Sequence, residues 1–145
     1  MQEFQRSLLL PYAAEEIFQI INDVEKYSEY IPSVRRSNIL SSEGNNELVS
    51  MKLDAKGITE TLVTSNTSNP STSITISLVE GPFDHLKAHW TFVGLEDLGC
   101  RVRLTVEFEL KGRLLKTLLR PLYERIVDRL MSAFHTRVQE LLERE

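Results

Sequence analysis

The chain contains 145 residues, of which 41% are hydrophobic and 26% are charged. These fractions are typical of a globular domain and exclude a disordered or collagen-like chain. The length predicts one domain over residues 1–145, large enough to bury a core without disulfides or a metal. The net charge of −4 excludes a uniformly basic nucleic-acid binder. The charge is uneven, because residues 1–99 hold 7 basic and 14 acidic side chains, whereas residues 101–145 hold 10 basic and 7 acidic.

Cysteine use and hydropathy predict the compartment. Cys100 is the single cysteine, so no internal disulfide can form and a reducing environment is expected. No run of about 18 apolar residues is present, so we expect no membrane span. The N-terminus lacks a basic segment followed by an apolar one, which predicts no secretory signal. We therefore expect a cytoplasmic protein, with peripheral contact at the inner membrane as an additional location.

The N-terminal part of the chain is predicted to contain one strand and two short helices. A strand over Phe4–Leu10 ends at Pro11, and apolar residues at helical spacing then predict a helix over Ala13–Asp23. A second short helix is predicted over Val24–Tyr30. It must end before Pro32, because the residue before a proline disfavours the helical conformation.

The central part is predicted to be a meander of antiparallel strands. Apolar and polar side chains alternate there, which is typical of a sheet with one buried and one solvated face. Turn residues separate the alternating segments. The Ser- and Thr-rich segment Thr59–Ser77 is interpreted as the solvated face of such strands. The strands are predicted at Glu47–Asp54, Ile58–Asn66, Ser73–Glu80, His85–Val93 and Arg101–Leu110.

The last part is predicted to be one long helix. Gly112 ends the series of strands, and apolar residues recur at spacings of three and four from there to Glu145. Pro121 should kink this helix, since proline lacks an amide hydrogen and clashes with the preceding turn. The apolar stripe of the helix and the apolar face of the sheet can cover each other, which predicts an α+β fold.

Motifs for catalysis and metal binding are missing from the sequence. His85 and His89 would lie about 13 Å apart on a strand, too far to share an ion. His135 has no second ligand nearby, and Cys100 has no evident activating base. Glu107 and Glu109 fall on the charged face of the last strand, where cross-strand pairing is the simpler role. We therefore expect no catalytic residue, no metal site and no enzyme.

A basic cluster lies at the start of the last helix. Ten residues without an acidic side chain contain Lys111, Arg113, Lys116 and Arg120. A solvated helix face accounts for such a cluster. The alternative is a contact with phosphate, either in RNA or in anionic lipid headgroups. Aromatic residues do not alternate with these cations, which argues against stacking of single-stranded nucleic acid, and DNA is not expected as a partner.

Four segments stand out along the chain: Pro-Tyr-Ala-Ala-Glu at 11–15, Asn-Asp-Val-Glu-Lys-Tyr-Ser-Glu-Tyr-Ile-Pro at 22–32, Ser-Leu-Val-Glu-Gly-Pro-Phe at 77–83 and Trp-Thr-Phe at 90–92. Together they span nearly the whole chain. In order and spacing they resemble the coenzyme Q-binding START-like family of the polyketide cyclase/START superfamily. The family includes bacterial ribosome association toxins.

The resemblance implies a helix-grip (START/Bet v 1-like) fold, in which a curved antiparallel sheet wraps around a long C-terminal helix and encloses a hydrophobic tunnel. It also implies non-enzymatic binding of ubiquinone or a related isoprenoid lipid in support of respiration, with no cofactor other than that bound lipid. Tyr30 and Pro32 would lie at the tunnel mouth. With the apolar faces of sheet and helix, the candidate ligand contacts are Tyr30, Pro32, Met51, Trp90, Phe92, Val106, Leu118, Leu122 and Ile126.

Two alternatives follow from the same resemblance. A toxin-like protein would bind the large ribosomal subunit through Lys111–Arg120 and block the joining of the subunits. A polyketide cyclase-like enzyme would need polar catalytic groups in the cavity, such as a buried Glu60 or histidine. Transient contact with a membrane surface is a further expectation from the basic cluster.

Overall fold

The computed structural model describes residues 2–55 and 57–143, and its main element is a seven-stranded antiparallel sheet. In spatial order the strands run β1-β7-β6-β5-β4-β3-β2. Their bounds are β1 Gln2–Leu10, β2 Val34–Glu43, β3 Asn46–Ala55, β4 Ile58–Asn69, β5 Ser73–Glu80, β6 Phe83–Gly94 and β7 Cys100–Leu110.

Helices lie before β2 and after β7. Helix α1 spans Ala14–Asn22, and the predicted second helix is a 3-10 helix at Val24–Glu29. A short 3-10 turn at Glu96–Leu98 precedes β7. The C-terminal segment contains α2 at Arg113–Leu119, a 3-10 turn at Arg120–Leu122, and α3 at Tyr123–Leu142. The α+β helix-grip prediction is therefore confirmed.

The strand predictions are confirmed except for β2, which lies outside the predicted elements. Its sequence, Val-Arg-Arg-Ser-Asn-Ile-Leu-Ser-Ser-Glu, shows no regular alternation. The reason is that its register against β3 shifts between Val34 and Arg36 and again between Ile39 and Ser41. Such bulges interrupt the period of two by which a strand is recognised. At this sheet edge the amide of Ile39 donates to a carboxylate oxygen of Glu25, 3.2 Å away.

The inner face of the sheet is formed as the alternation predicts. On β6 the side chains of Ala88, Trp90 and Phe92 are buried. Trp90 lies opposite Leu104 of β7, and Phe92 lies opposite Val102. This face packs against α3, which contributes the five buried side chains Tyr123, Val127, Met131, Phe134 and Val138.

The predicted long helix is interrupted at Pro121 by the 3-10 turn, since proline cannot donate the hydrogen bond that α-helical geometry needs there. The predicted helix end at Glu145 lies outside the described residues. The expectation that Leu118 and Ile126 face the sheet is wrong, because their side chains are 51% and 41% exposed. The buried stripe runs one residue later, through Leu119, Tyr123 and Val127.

Tyr123 accounts for this rotation of the helical segment. Its side chain is fully buried, and its hydroxyl oxygen accepts a hydrogen bond from the amide of Leu110, 3.0 Å away. That bond ties Tyr123 to the end of β7, so the neighbouring Leu122 is only half-buried and Leu118 points away. Within residues 2–55 and 57–143, no helix combines the length and the hydropathy needed to traverse a bilayer.

The turn before β7 requires glycine at position 99. Gly99 has a φ of +107°, and a Cβ atom there would lie 2.0 Å from the carbonyl oxygen of Leu10. We expect Gly99→Ala to lower the free energy of unfolding by about 2 kcal/mol or more, because it combines a strained φ with a backbone clash. The matched control is Gly94→Ala, where a Cβ meets nothing within 4 Å. Urea denaturation measures both, and equal midpoints for the two variants would contradict this account.

Candidate functional site

Aromatic rings fill the space between the sheet and α3. The ring centroids of Trp90 and Phe134 are 5.0 Å apart, in an edge-to-face arrangement. Phe134 also contacts Tyr27 at 5.4 Å and Tyr30 at 5.7 Å. Contacts of this kind between buried rings add to the stabilisation from burial itself. The side chain of Phe134 thus occupies the space beside Trp90 where the family resemblance implies a tunnel.

The inner face of the sheet also carries buried polar side chains. Thr64 and Asn66 on β4 are both buried, and the Thr64 hydroxyl donates to the amide oxygen of Asn66 at 2.7 Å. Asn66 lies opposite Ile76, which lies opposite Ala88, so these residues share the face of Trp90. The interpretation of Thr59–Ser77 as a solvated face is therefore wrong at Thr64 and Asn66.

Two further polar residues extend this region over β2 and β3. Ser37 is buried, and in the described part of the chain its hydroxyl has no hydrogen-bond partner. Glu47 lies opposite Asn66, and burial raises the pKa of its carboxyl. The inner face is consequently apolar over β5–β7 and partly polar over β2–β4. The sequence carries a signal for this face, since Leu62, Thr64 and Asn66 alternate along β4, but the many serine and threonine residues of the segment are equally typical of a solvated face.

A cavity of about 300 Å³ opens where α1 and the Val24–Glu29 helix meet the C-terminal end of α3. Tyr30 lines it, and the Arg137 guanidinium lies 4.9 Å from the centroid of the Tyr30 ring. Arg137 also donates to a carboxylate oxygen of Glu29 at 2.9 Å. Burial raises the pKa of the Tyr30 hydroxyl. The complete lining is Glu16, Gln19, Ile20, Asp23, Lys26, Tyr30, Arg137, Leu141 and Leu142.

The candidate ligand contacts separate into three groups. Trp90, Phe92 and Val106 are buried in the core, and Met51 and Leu122 are half-buried against it. Tyr30 connects the core to the cavity through its ring contact with Phe134. The remaining residues, Pro32, Leu118 and Ile126, are exposed and do not take part in the interior.

The four cations of the basic cluster have different surroundings. Lys111 and Arg113 are exposed, and no ion pair with another described residue is formed by either of them. Lys116 lies 2.8 Å from a carboxylate oxygen of Asp84. Arg120 forms an ion pair with Glu109. A second surface cavity of about 300 Å³ is lined by Lys116, Thr117, Arg120 and Pro121.

Glu109 is buried, which corrects its predicted place on the solvated face. The hydroxyl of Tyr123 donates to its carboxylate at 2.8 Å, in addition to the Arg120 pair. The Arg120 hydrogen bond, followed by the Tyr123 hydrogen bond, lowers the pKa of the Glu109 carboxyl. The alternation along β7 predicts the wrong environment for Glu109, because the segment after β7 folds back over the end of this strand. Glu107 points towards His85, whose Nε2 lies 3.6 Å from it.

The groups considered for enzyme chemistry lie apart from the cavity at Tyr30. Glu60 is exposed, and no histidine lines that cavity. The Nδ1 of His89 lies 2.9 Å from the Thr75 hydroxyl on the exposed side of the sheet. Cys100 is buried, and burial raises the pKa of its thiol. Within residues 2–55 and 57–143, no three metal-ligating side chains gather into one cluster.

A family model described as polyketide cyclase/dehydrase and lipid transport matches residues 10–135. The chain belongs to this family. Among its curated relatives, the ribosome association toxin RatA of Vibrio cholerae is 31% identical over 141 residues, covering 97% of this chain and 98% of RatA. The coenzyme Q-binding protein COQ10 homolog B of Xenopus laevis is 24% identical over 99% of this chain and 60% of its own length.

Several solved structures share the fold of this chain. The Zhui aromatase/cyclase from Streptomyces sp. R1128 superposes with a TM-score of 0.83 at 16% identity, covering 95% of this chain and 93% of the enzyme. A START superfamily protein from Mycobacterium smegmatis gives a TM-score of 0.82 at 18% identity, covering 96% and 98%. At these identities the likeness establishes the helix-grip architecture and leaves the chemistry to the residues of the site.

The ion pair between Glu109 and Arg120 predicts that the stability of the fold depends on pH. Because Arg120 holds the folded-state pKa of Glu109 below its ordinary value of 4.5, the carboxylate stabilises the fold at higher pH. This stabilisation is lost as the pH falls through the lowered pKa. We expect Glu109→Gln to destabilise the chain most near neutral pH, and the difference from wild type to shrink in acid. Urea denaturation across pH measures it, with Glu60→Gln as the exposed control, and a difference independent of pH would contradict the assignment.

Proposed function

We propose that the chain binds ubiquinone or a related isoprenoid lipid between the sheet and α3, without catalysing a reaction, in support of respiration. This proposal rests on the inner face of the sheet, which is apolar over β5–β7 and partly polar over β2–β4. A quinone with an isoprenoid tail has the same division, since its tail is apolar and its ring carries carbonyl acceptors. Ligand sites in proteins combine apolar walls with a few placed polar groups in the same way.

The apolar half of the face suits the tail. Trp90, Phe92 and Val106 would contact it, with Met51 and Leu122 at its edges. Burial of apolar surface supplies about 25 cal/mol per Å². Because the Phe134 ring lies on Trp90 in this structure, a ligand in this position requires Phe134 to turn aside. Tyr30, on the other side of Phe134, then connects the ligand to the cavity of about 300 Å³.

The polar half suits the head of the ligand. The buried Ser37 hydroxyl lacks a partner among the described residues, and a buried donor without an acceptor costs about 1–3 kcal/mol. A quinone carbonyl is an acceptor that would remove this cost. Asn66 and Thr64 lie on the same inner face. The family's description as lipid transport and the name of the COQ10 relative support this choice of ligand.

Ligand extraction and tryptophan fluorescence test the proposal. Mass spectrometry of an organic extract of the purified protein should detect a quinone. Added short-chain ubiquinone should quench Trp90, the single tryptophan. Ala88→Leu, which fills the inner face beside Trp90, should weaken binding about tenfold through overcrowding. Val93→Leu on the same strand, at an exposed position, should bind like wild type.

The outcomes separate clearly. A protein that carries no quinone and shows no quenching does not have this function. Quenching that Ala88→Leu and Val93→Leu reduce equally would place the ligand outside the inner face. If Ala88→Leu fails to fold, the extraction and quenching results on the wild-type chain decide the question.

Association with the large ribosomal subunit is the second candidate function. It is favoured by the 31% identity with RatA over nearly the full length of both chains. Exposed cations without an ion pair in the described part of the chain, Lys111 and Arg113, are the side chains available to RNA phosphates. Phosphate contacts release counterions, so such binding should weaken steeply with salt.

Co-sedimentation with purified large subunits tests this candidate. We expect the chain to pellet with the subunits at low salt, and Lys111→Glu/Arg113→Glu to reduce the pelleted fraction about tenfold through lost phosphate contacts. The control Lys52→Glu/Lys87→Glu makes the same change of charge at exposed positions on β3 and β6. No sedimentation of the wild-type chain would reject the function, and equal sedimentation of both variants would exclude Lys111 and Arg113 as the contact.

A further inference from the structure

Helix α2 exposes two leucines on one side. Leu114 is 68% exposed and Leu118 is 51% exposed. Their separation of four residues puts them on the same face of the helix, one turn apart. Leu119 is the buried residue of α2, so the two leucines are not required to hold the helix on the sheet. Apolar residues scattered singly are normal on protein surfaces, whereas these two lie one turn apart and form a small apolar face on α2.

Cations border the exposed leucines. Arg113 immediately precedes Leu114, and Lys111 lies two residues before Arg113. Both cations are exposed, without an ion pair to any described residue. The nearby carboxylates are already engaged, since Asp84 pairs with Lys116 and Glu109 pairs with Arg120. Lys111 and Arg113 therefore present positive charge at the N-terminal end of the helix that carries the two exposed leucines.

We propose that α2 is a docking surface for an anionic membrane. Leu114 and Leu118 enter the boundary between headgroups and acyl chains, and Lys111 and Arg113 contact the lipid phosphates. This combination of an apolar face and flanking cations is the chemistry of helices that lie in a membrane interface. RNA would use the two cations but leave both leucines in water, so the leucines favour the membrane on this surface.

Vesicle flotation tests the docking surface. The probes are vesicles of phosphatidylcholine alone and of phosphatidylcholine with phosphatidylglycerol, both free of quinone. We expect the chain to float with the anionic vesicles and not with the neutral ones, and high salt to release it. Because the vesicles contain no quinone, docking can fail while quinone binding in the interior holds, and the reverse.

Two pairs of variants separate the leucines from the charges. Leu114→Ser/Leu118→Ser keeps every charge, and it should weaken vesicle binding about tenfold by removing the inserted side chains. Its control is Leu9→Ser/Leu98→Ser, at two exposed leucines on other elements. Lys111→Glu/Arg113→Glu should weaken binding by about tenfold or more, whereas Lys52→Glu/Lys87→Glu should have less effect.

A fluorescent label measures insertion directly. Cys100 is buried, so an environment-sensitive dye can be attached to Leu114→Cys, with Leu98→Cys as the control. A blue shift with anionic vesicles at position 114 and none at 98 supports the proposal. It is overturned if the chain ignores anionic vesicles, if the serine pair floats like wild type, or if Lys111 and Arg113 serve ribosome binding while no vesicle binding occurs.

Discussion

The arrangement of the C-terminal helices depends on the hydrogen bonds of the Tyr123 hydroxyl. This hydroxyl accepts the amide hydrogen of Leu110 at 3.0 Å and donates to Glu109 at 2.8 Å, while the ring of Tyr123 lies 4.5 Å from that of Phe108. A buried hydroxyl without such partners is costly, so this residue can occupy only one position against the end of β7. The rotation of α3, and with it the choice of buried side chains, follows from that position.

The parts of the fold that follow from local geometry could be predicted. In β6 and β7 the period of two is imposed by the pleat, so the inward position of Trp90, Phe92 and Val106 can be read from alternation alone. The helix is different, because its apolar residues form a stripe wide enough to contain two faces. One face passes through Leu118 and Leu122, and the other passes through Leu119 and Tyr123. The hydrogen bonds of the buried Tyr123 hydroxyl favour the second face, a contact that the helix sequence does not reveal.

The burial of polar side chains is the second feature that the sequence pattern does not reveal. Glu109, Thr64 and Asn66 have sequence patterns typical of solvated strand positions, but each has a partner that makes burial affordable. For Glu109 the partners come from the segment that follows β7, and no periodicity along β7 carries that information. The site is therefore predictable on the apolar strands β6 and β7, and unpredictable on the helix and at the polar positions, since the helix rotation and polar burial depend on contacts between distant residues.

The 3-10 turn at Pro121 divides the C-terminal helical segment into α2 and α3, which bury different numbers of side chains. α3 buries five side chains, whereas α2 buries Leu119 alone. Local opening costs less where fewer apolar contacts are lost, so separating α2 from the sheet costs less free energy than separating α3. A partner that holds α2 therefore needs a binding energy far below that of global unfolding to change the position of this helix.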